Sequence, residues 1–295
     1  MSTQSKKSIV FTDSGLGGLS IMALFFNNIK KRTDYVDADE LELIFYNALP
    51  ESGQGYNRMD TMQKKIHVFN QALETMKKNY DPTVIAIACN TLSAVYPMTP
   101  FARENKDTFE IISSGRYLIN QQRRHFPEYP VFVLATPTTI WSGAYEMNDS
   151  KVYQVSGVNL ASQIEMDHTG PDVKETLKTI FSKIKTLSDD PEIVLFLGCT
   201  HYGYIEKIIE QEAQKSNLNL KRIINPNVEF TEELLESVIP SDSKKHARKA
   251  KITLRIESQA VIDPQEIKTI SFLIQHMSPE IVEVLENYRQ IPKSF

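Results

Sequence analysis

The hydrophobic pattern alternates between two periods along the chain. Short apolar runs occupy residues 8–12, 41–46, 84–89, 109–112, 131–135 and 193–199, and residues 151–156 read as another strand. Most are rich in Val, Ile, Leu and Phe. Runs of this length without polar alternation read as strands buried on both faces, as in parallel sheets. Between them lie stretches with helical spacing at 19–31, 58–79, 91–96, 116–125, 171–186 and 202–215. The stretch at 171–186 carries Asp172 and Glu175 near its start, where the helix dipole favours acidic side chains. Strands alternating with helices predict an α/β fold with mostly parallel sheets. Residues 221–224 read as a further strand, one that returns to the first part of the molecule. The tail from 244 to 295 holds one alternating segment at 252–256 and two helical stretches.

One unit occurs twice. The chain has two cysteines, Cys89 and Cys199, and each closes an apolar run and is followed by polar residues: Asn90 and Thr91 in one case, Thr200 and His201 in the other. Their separation of 110 positions is about one domain length. We therefore expect two similar domains facing each other, each a mostly parallel sheet flanked by helices, with the site in the cleft between them. The first domain is expected at 1–98 plus 222–295 and the second at 99–221. Both thiols then stand at carboxyl ends of strands, where open α/β sheets place their ligand sites.

Several readings of these thiols stay open on the residues alone. A free cysteine often packs as a small hydrophobe. A thiol beside a helix start is instead primed for chemistry. A disulfide would suit an oxidising compartment better than a cytosolic one. Zinc would need a paired Cys spacing that the chain lacks. His201 and the carboxylates Asp13 and Glu165 matter only if the fold brings them within reach of a thiol.

The segment Asp13-Ser14-Gly15-Leu16-Gly17-Gly18 follows the first strand and precedes a helix. Its spacing fits neither the dinucleotide fingerprint nor a P-loop. It is either an anion cradle or a tight turn. The loop at 47–57 carries Pro50, Gly53 and Gly55 and reads as functional rather than packed.

Composition narrows the class. The chain is 41% hydrophobic and 24% charged, with a formal net charge of −4. That gives no electrostatic footprint for nucleic acid. No apolar run reaches 18 residues, so no membrane span is expected. The basic start, Met1 to Lys7, leads into a strand and not into a signal core. Two cysteines and that start lead us to expect a cytoplasmic protein with free thiols.

At these residues the chain resembles glutamate racemase, of the cofactor-independent aspartate/glutamate racemase superfamily. Asp13-Ser14-Gly15-Leu16-Gly17-Gly18-Leu19 matches one family motif, Cys89-Asn90-Thr91 a second, and Leu197-Gly198-Cys199-Thr200-His201-Tyr202 a third. Thr136-Pro137-Thr138-Thr139-Ile140-Trp141-Ser142 is a weaker match. The resemblance spans about residues 8–230. It implies racemisation of glutamate by two cysteines, with no cofactor and no metal, supplying D-glutamate for peptidoglycan. It implies that Asp13 assists Cys89, and that His201 and Glu165 assist Cys199. Ser14, Asn90, Thr91, Thr139 and Thr200 would hold the amino acid's polar groups. A homodimer is a further expectation from the family. His201 favours the glutamate branch, since aspartate racemases typically have Glu there.

The chain also departs from that pattern. The family's Asp-x₄-Pro-Tyr-Gly segment is replaced by the 47–57 loop, where Ser52-Gly53 would stand in for Tyr-Gly. Thr138 replaces a Gly, and Gly203 replaces a Pro. The alternatives are a racemase or epimerase of another amino acid such as aspartate, a non-catalytic binding protein on this scaffold, and, least favoured, a thiol-redox protein.

Overall fold

The computed structural model describes residues 5–31, 38–105, 107–238 and 250–292. The starts of the basic segment (1–4) and of the tail (244–249) lie outside the described residues. Ten strands follow in chain order: β1 (Lys6–Asp13), β2 (Glu40–Asn47), β3 (Val84–Ile87), β4 (Thr108–Glu110), β5 (Val131–Ala135), β6 (Val152–Ser156), β7 (Ile193–Gly198), β8 (Leu220–Ile224), β9 (Lys251–Ser258) and β10 (Arg289–Gln290). They form two sheets, in the orders β10-β9-β2-β1-β3-β4 and β6-β5-β7-β8. Every pairing between described strands is parallel.

Parallel sheets need cover on both faces, and the strands supply apolar side chains to both. Ile9, Phe11, Leu43 and Phe45 pack in one cluster, while Val10, Ile44 and Tyr46 pack in another on the opposite face. The second sheet divides likewise, with Phe132 and Leu134 on one side and Val131 and Val133 on the other. The helices Leu19–Lys30, Met62–Tyr80, Ile111–His125, Pro171–Leu187 and Glu206–Lys215 alternate with the strands, as the periodicity predicts.

Both strand orders reverse at one point. The chain steps from β1 to β2 on one side and later places β3 on the other, and it does the same with β5, β6 and β7. Such a reversal opens a crevice at the carboxyl ends of the strands flanking it. Asp13 and Cys89 follow one crevice, Thr136 and Cys199 the other.

Four expectations need correction. Residues 220–224 do not return to the first sheet: β8 pairs with β7, and Arg222–Ile224 are part of that ladder. β4, inside the span expected for the second domain, joins the first sheet beside β3. The sheets thus divide the chain at places other than 98/99 and 221/222. Of the run 109–112, Ile111 and Ile112 are the first turn of a helix, because so short a run, three apolar residues and Glu110, fits either period. The helix expected from 58 starts at Met62, where the Thr61 side chain accepts the Lys64 N–H and caps it. Residues 56–58 form a separate single turn. In the tail, β9 pairs with β2 along its whole length, and helices follow at Pro264–Ile274 and Pro279–Glu286.

Candidate active site

The glycine turn after β1 lets the two lobes approach. A Cβ on Gly17 would stand 2.4 Å from Thr200 Oγ1 of the other lobe, while one on Gly18 would stand 2.7 Å from the Ala88 carbonyl oxygen of its own lobe. The Tyr204 hydroxyl donates to the Leu16 and Gly17 carbonyls at 3.2 Å each. The turn is therefore a lobe contact, made by residues small enough for it.

Asp13 is buried at the end of β1. Its Oδ2 accepts from the Gly18 N–H and, at 3.0 Å, from Thr200 Oγ1 of the other lobe. Ser14 Oγ lies 3.4 Å from Asp13 Oδ1 and 3.3 Å from Cys89 Sγ. Burial pushes the Asp13 carboxyl up, against the pull of His201 and of hydrogen bonds from Cys89 and Thr200. Cys89 caps the helix Asn90–Val95, its sulfur accepting the Leu92 N–H at 3.5 Å. Burial holds this thiol well above its ordinary value and the charge of Asp13 adds to that, while the hydrogen bonds from Ser14 and Leu92 oppose it.

The second lobe carries a different arrangement. Cys199 Sγ lies 3.7 Å from His201 Nδ1, and His201 Nε2 lies 2.7 Å from Glu165 Oε1. The same oxygen accepts the Leu16 N–H of the first lobe at 2.9 Å. Burial by itself would lower the His201 pKa. The Glu165 charge and the hydrogen bonds to Cys199 and Glu165 outweigh it and raise the ring well above its ordinary value. Burial would likewise raise Glu165, but the His201 charge and the bonds from His201 and Leu16 lower it. This favours the protonated ring, whose Nδ1 faces the thiol and whose Nε2 faces the carboxylate.

Between the lobes lies a cavity of about 540 Å³, lined by both cysteines, Asp13, Ser14, Asn90, Thr91, Glu165, Thr200 and His201. Asn90 Oδ1 accepts from the Tyr145 hydroxyl, while Asn90 Nδ2 is buried without a partner. Two expected residues sit elsewhere. Thr139 is buried behind the wall, its Oγ1 3.0 Å from Thr136 Oγ1, and Thr136 lines the cavity instead. Ser52 turns away, its hydroxyl donating to the Val261 carbonyl, although Gly53 does line the cavity.

Sequence reasoning missed the rest of the 47–58 loop. Gly55, Tyr56, Asn57 and Arg58 all line the cavity. The buried Tyr56 was a usable signal, an aromatic inside a glycine-bearing loop. Glu266, from the tail, also reaches the cavity; burial and the nearby Glu165 charge push its carboxyl up to about 7.

Two departures from the family pattern meet in space. The Thr138 N–H donates to Asn57 Oδ1 at 3.1 Å, and Thr138 Oγ1 accepts from the buried Lys65 Nζ at 2.8 Å. The residue that replaces a glycine thus ties the altered loop to the second lobe. Gly203 has a local reason: a Cβ there would stand 2.6 Å from Asn225 Nδ2. Among the described residues no group of three or more His, Cys, Asp or Glu is arranged to hold a metal ion. No described helix is long and apolar enough to cross a membrane.

No family model matches the chain. Among curated proteins, it is 30% identical over 214 residues to the glutamate racemase of Buchnera aphidicola subsp. Acyrthosiphon pisum (strain Tuc7), covering 69% of this chain and 74% of that protein. It is 27% identical over 248 residues to the Fusobacterium nucleatum glutamate racemase, covering 80% and 84%. Among solved structures, the Francisella tularensis glutamate racemase in complex with D-glutamate superposes with a TM-score of 0.67 at 22% identity, over 91% of this chain and 94% of that one. The Thermus thermophilus glutamate racemase gives 0.68 at 15% identity, over 98% of each. The two-sheet fold is that of these structures, and with a relative of this identity aligned over most of its length, the chain belongs to the glutamate racemase family.

Proposed function

We propose that the chain is an isomerase, a cofactor-independent racemase that interconverts L- and D-glutamate and supplies the D-isomer for peptidoglycan. One observation carries this reading: two free, buried thiols, one from each lobe, line a single cavity, and each has its own proton partner. Inversion at an α-carbon requires a base on one face and an acid on the other.

In this mechanism a thiolate at one cysteine takes the α-proton and becomes a thiol. The carbanion's electron pair takes the proton of the opposite thiol, which becomes a thiolate. The product has the inverted centre, and the two cysteines have exchanged protonation states. Asp13 and Ser14 serve Cys89. The imidazolium of His201, held by Glu165, serves Cys199. Asp13 suits the substrate ammonium, while Asn90 Nδ2 and Thr91 offer donors to the α-carboxylate; the Thr200 hydroxyl already donates to Asp13. These fixed dipoles favour the developing carbanion.

The proposal includes a small-molecule amino acid as the only ligand, a cytoplasmic location, and closure of the lobes over the substrate. It also includes a homodimer, for which exposed Trp141 and Phe272 offer apolar surface; light scattering tests it. The activity is tested by NMR of α-proton exchange in D₂O with both enantiomers of glutamate and aspartate and with neutral amino acids. Exchange and inversion of glutamate support the reading. Exchange only with another amino acid moves the substrate but keeps the thiols. Exchange with none rejects catalysis.

A further inference from the structure

The charges lining the cavity are unequal. Asp13, Glu165, Asp167, Asp172 and Glu266 all contribute carboxyl groups, while Arg58 is the one Lys or Arg among the described lining residues. A dicarboxylic amino acid brings one ammonium and two carboxylates into this field. Asp13 answers the ammonium. The unpartnered amide of Asn90 and the neighbouring Thr91 answer one carboxylate. The His201 imidazolium is already engaged by Glu165 and Cys199. That leaves the second carboxylate with Arg58 as the cation that can meet it.

Arg58 is built for this. Its Nη1 donates to the Gly53 carbonyl at 2.9 Å, which fixes the side chain against its own loop. None of the ion pairs among the described residues includes it. Other N–H groups of the planar fork stay available for a carboxylate. The backbone beneath it is held in two ways. The Arg58 N–H closes a turn on the Gly55 carbonyl at 2.9 Å, and Asn57 is bonded across the lobes to Thr138, which Lys65 in turn secures. The loop that departs from the family pattern therefore presents a cation at the cavity wall from an anchored backbone.

We propose that Arg58 binds the side-chain carboxylate of the substrate and so sets the preference for a dicarboxylic amino acid. The inference rests on the racemase reading. Its test is the steady-state racemisation of L-glutamate by the full-length wild type, Arg58→Gln and Arg58→Lys, alongside α-proton exchange with L-glutamine. We expect Arg58→Gln to raise KM for glutamate by about tenfold or more, the loss of a charge-assisted hydrogen bond, and to lower the preference for glutamate over glutamine by a similar factor. Arg58→Lys keeps the charge without the fork and falls between the two. An unchanged KM in Arg58→Gln overturns the proposal, as does a lysine variant no better than the glutamine one. If circular dichroism shows that Arg58→Gln has lost its fold, the lysine variant decides alone: a KM for glutamate raised above wild type supports the proposal and a wild-type KM overturns it. Wild-type exchange restricted to neutral amino acids overturns the role of Arg58 and leaves the thiol chemistry standing. A wild type that exchanges nothing rejects both.

Discussion

Replacing Gly17 with alanine puts a methyl group where the lobes leave no room. The new Cβ would stand 2.4 Å from Thr200 Oγ1, 2.5 Å from His201 Nδ1 and 2.7 Å from His201 Cε1, where real Cβ contacts begin at 3.0 Å. Neither neighbour yields easily. Thr200 Oγ1 is bonded to Asp13, and the His201 ring is clamped between Cys199 and Glu165. The strain must open the lobes, or shift Thr200 and turn the imidazole away from the thiol, by about half an ångström. Misplacement on the ångström scale costs about 10²-fold in rate even when it leaves the fold intact. Overpacking of this kind also costs about 1–3 kcal/mol, a drop in Tm of roughly 2–10 °C for a chain of this size. The assay is glutamate racemisation by circular dichroism, with thermal melts on the same samples. Gly53→Ala is the contrasting variant. Its φ of +74° strains an alanine by about 1 kcal/mol, but nothing lies within 4 Å of the new Cβ and no group of the Cys199 side is pushed. A Gly17→Ala enzyme with kcat within about threefold of wild type would refute the argument that lobe approach at this glycine positions His201.

Cys89→Ser and Cys199→Ser should each reduce racemisation below detection while far-UV circular dichroism stays unchanged; near-normal turnover in either variant removes that thiol from the mechanism. Glu165→Gln should lower stability most between about pH 4.5 and 6.5, as read by urea melts across pH. The raised His201 contributes fully below its ordinary 6.5 and loses that contribution as pH rises through its folded value. The lowered Glu165 contributes above its ordinary 4.5 and loses it as pH falls through its own folded value. A wild-type-minus-variant difference that stays flat from pH 5 to 9 would contradict the pairing. Thr138→Gly restores the family residue but leaves Lys65 without its hydroxyl partner, and should cost about 1–3 kcal/mol in thermal stability; an unchanged Tm would mean that the hydroxyl does not hold the lysine.

The parts of the site that the sequence makes legible are those at strand ends. A short apolar run followed by a polar residue fixes both the strand and the place where it stops. That is why Asp13, Cys89 and Cys199 are found where expected, with Asn90, Thr91, Thr200 and His201 beside them. Glu165 is different. It sits in a helix, Leu160–Asp167, away from any strand end, and only the resemblance gives it a role beside Cys199. What pairing decides is not legible. β8 has apolar residues that suit either sheet, and the ladder with β7 settles the matter. The 47–58 loop has no period at all, so Ser52 and Arg58 look equally exposed in sequence. Their difference arises from tertiary bonds: Ser52 is drawn to Val261, while Asn57 is drawn to Thr138 and carries Arg58 to the cavity. The glycine turn shows a related limit. Its composition suggests a bound anion or a tight turn, and the deciding fact is a contact with Thr200, far along the chain.

The claim that two thiols work on opposite faces of one carbon is tested most directly by the isotope pattern at early times. L-Glutamate is incubated with the enzyme in D₂O, and both enantiomers are followed by NMR before the reaction approaches equilibrium. With two separate proton carriers, the D-glutamate formed carries deuterium at the α-carbon while the remaining L-glutamate keeps its protium. If instead the remaining L-glutamate gains deuterium as fast as the product forms, a single group serves both faces, and the two-thiol account is wrong.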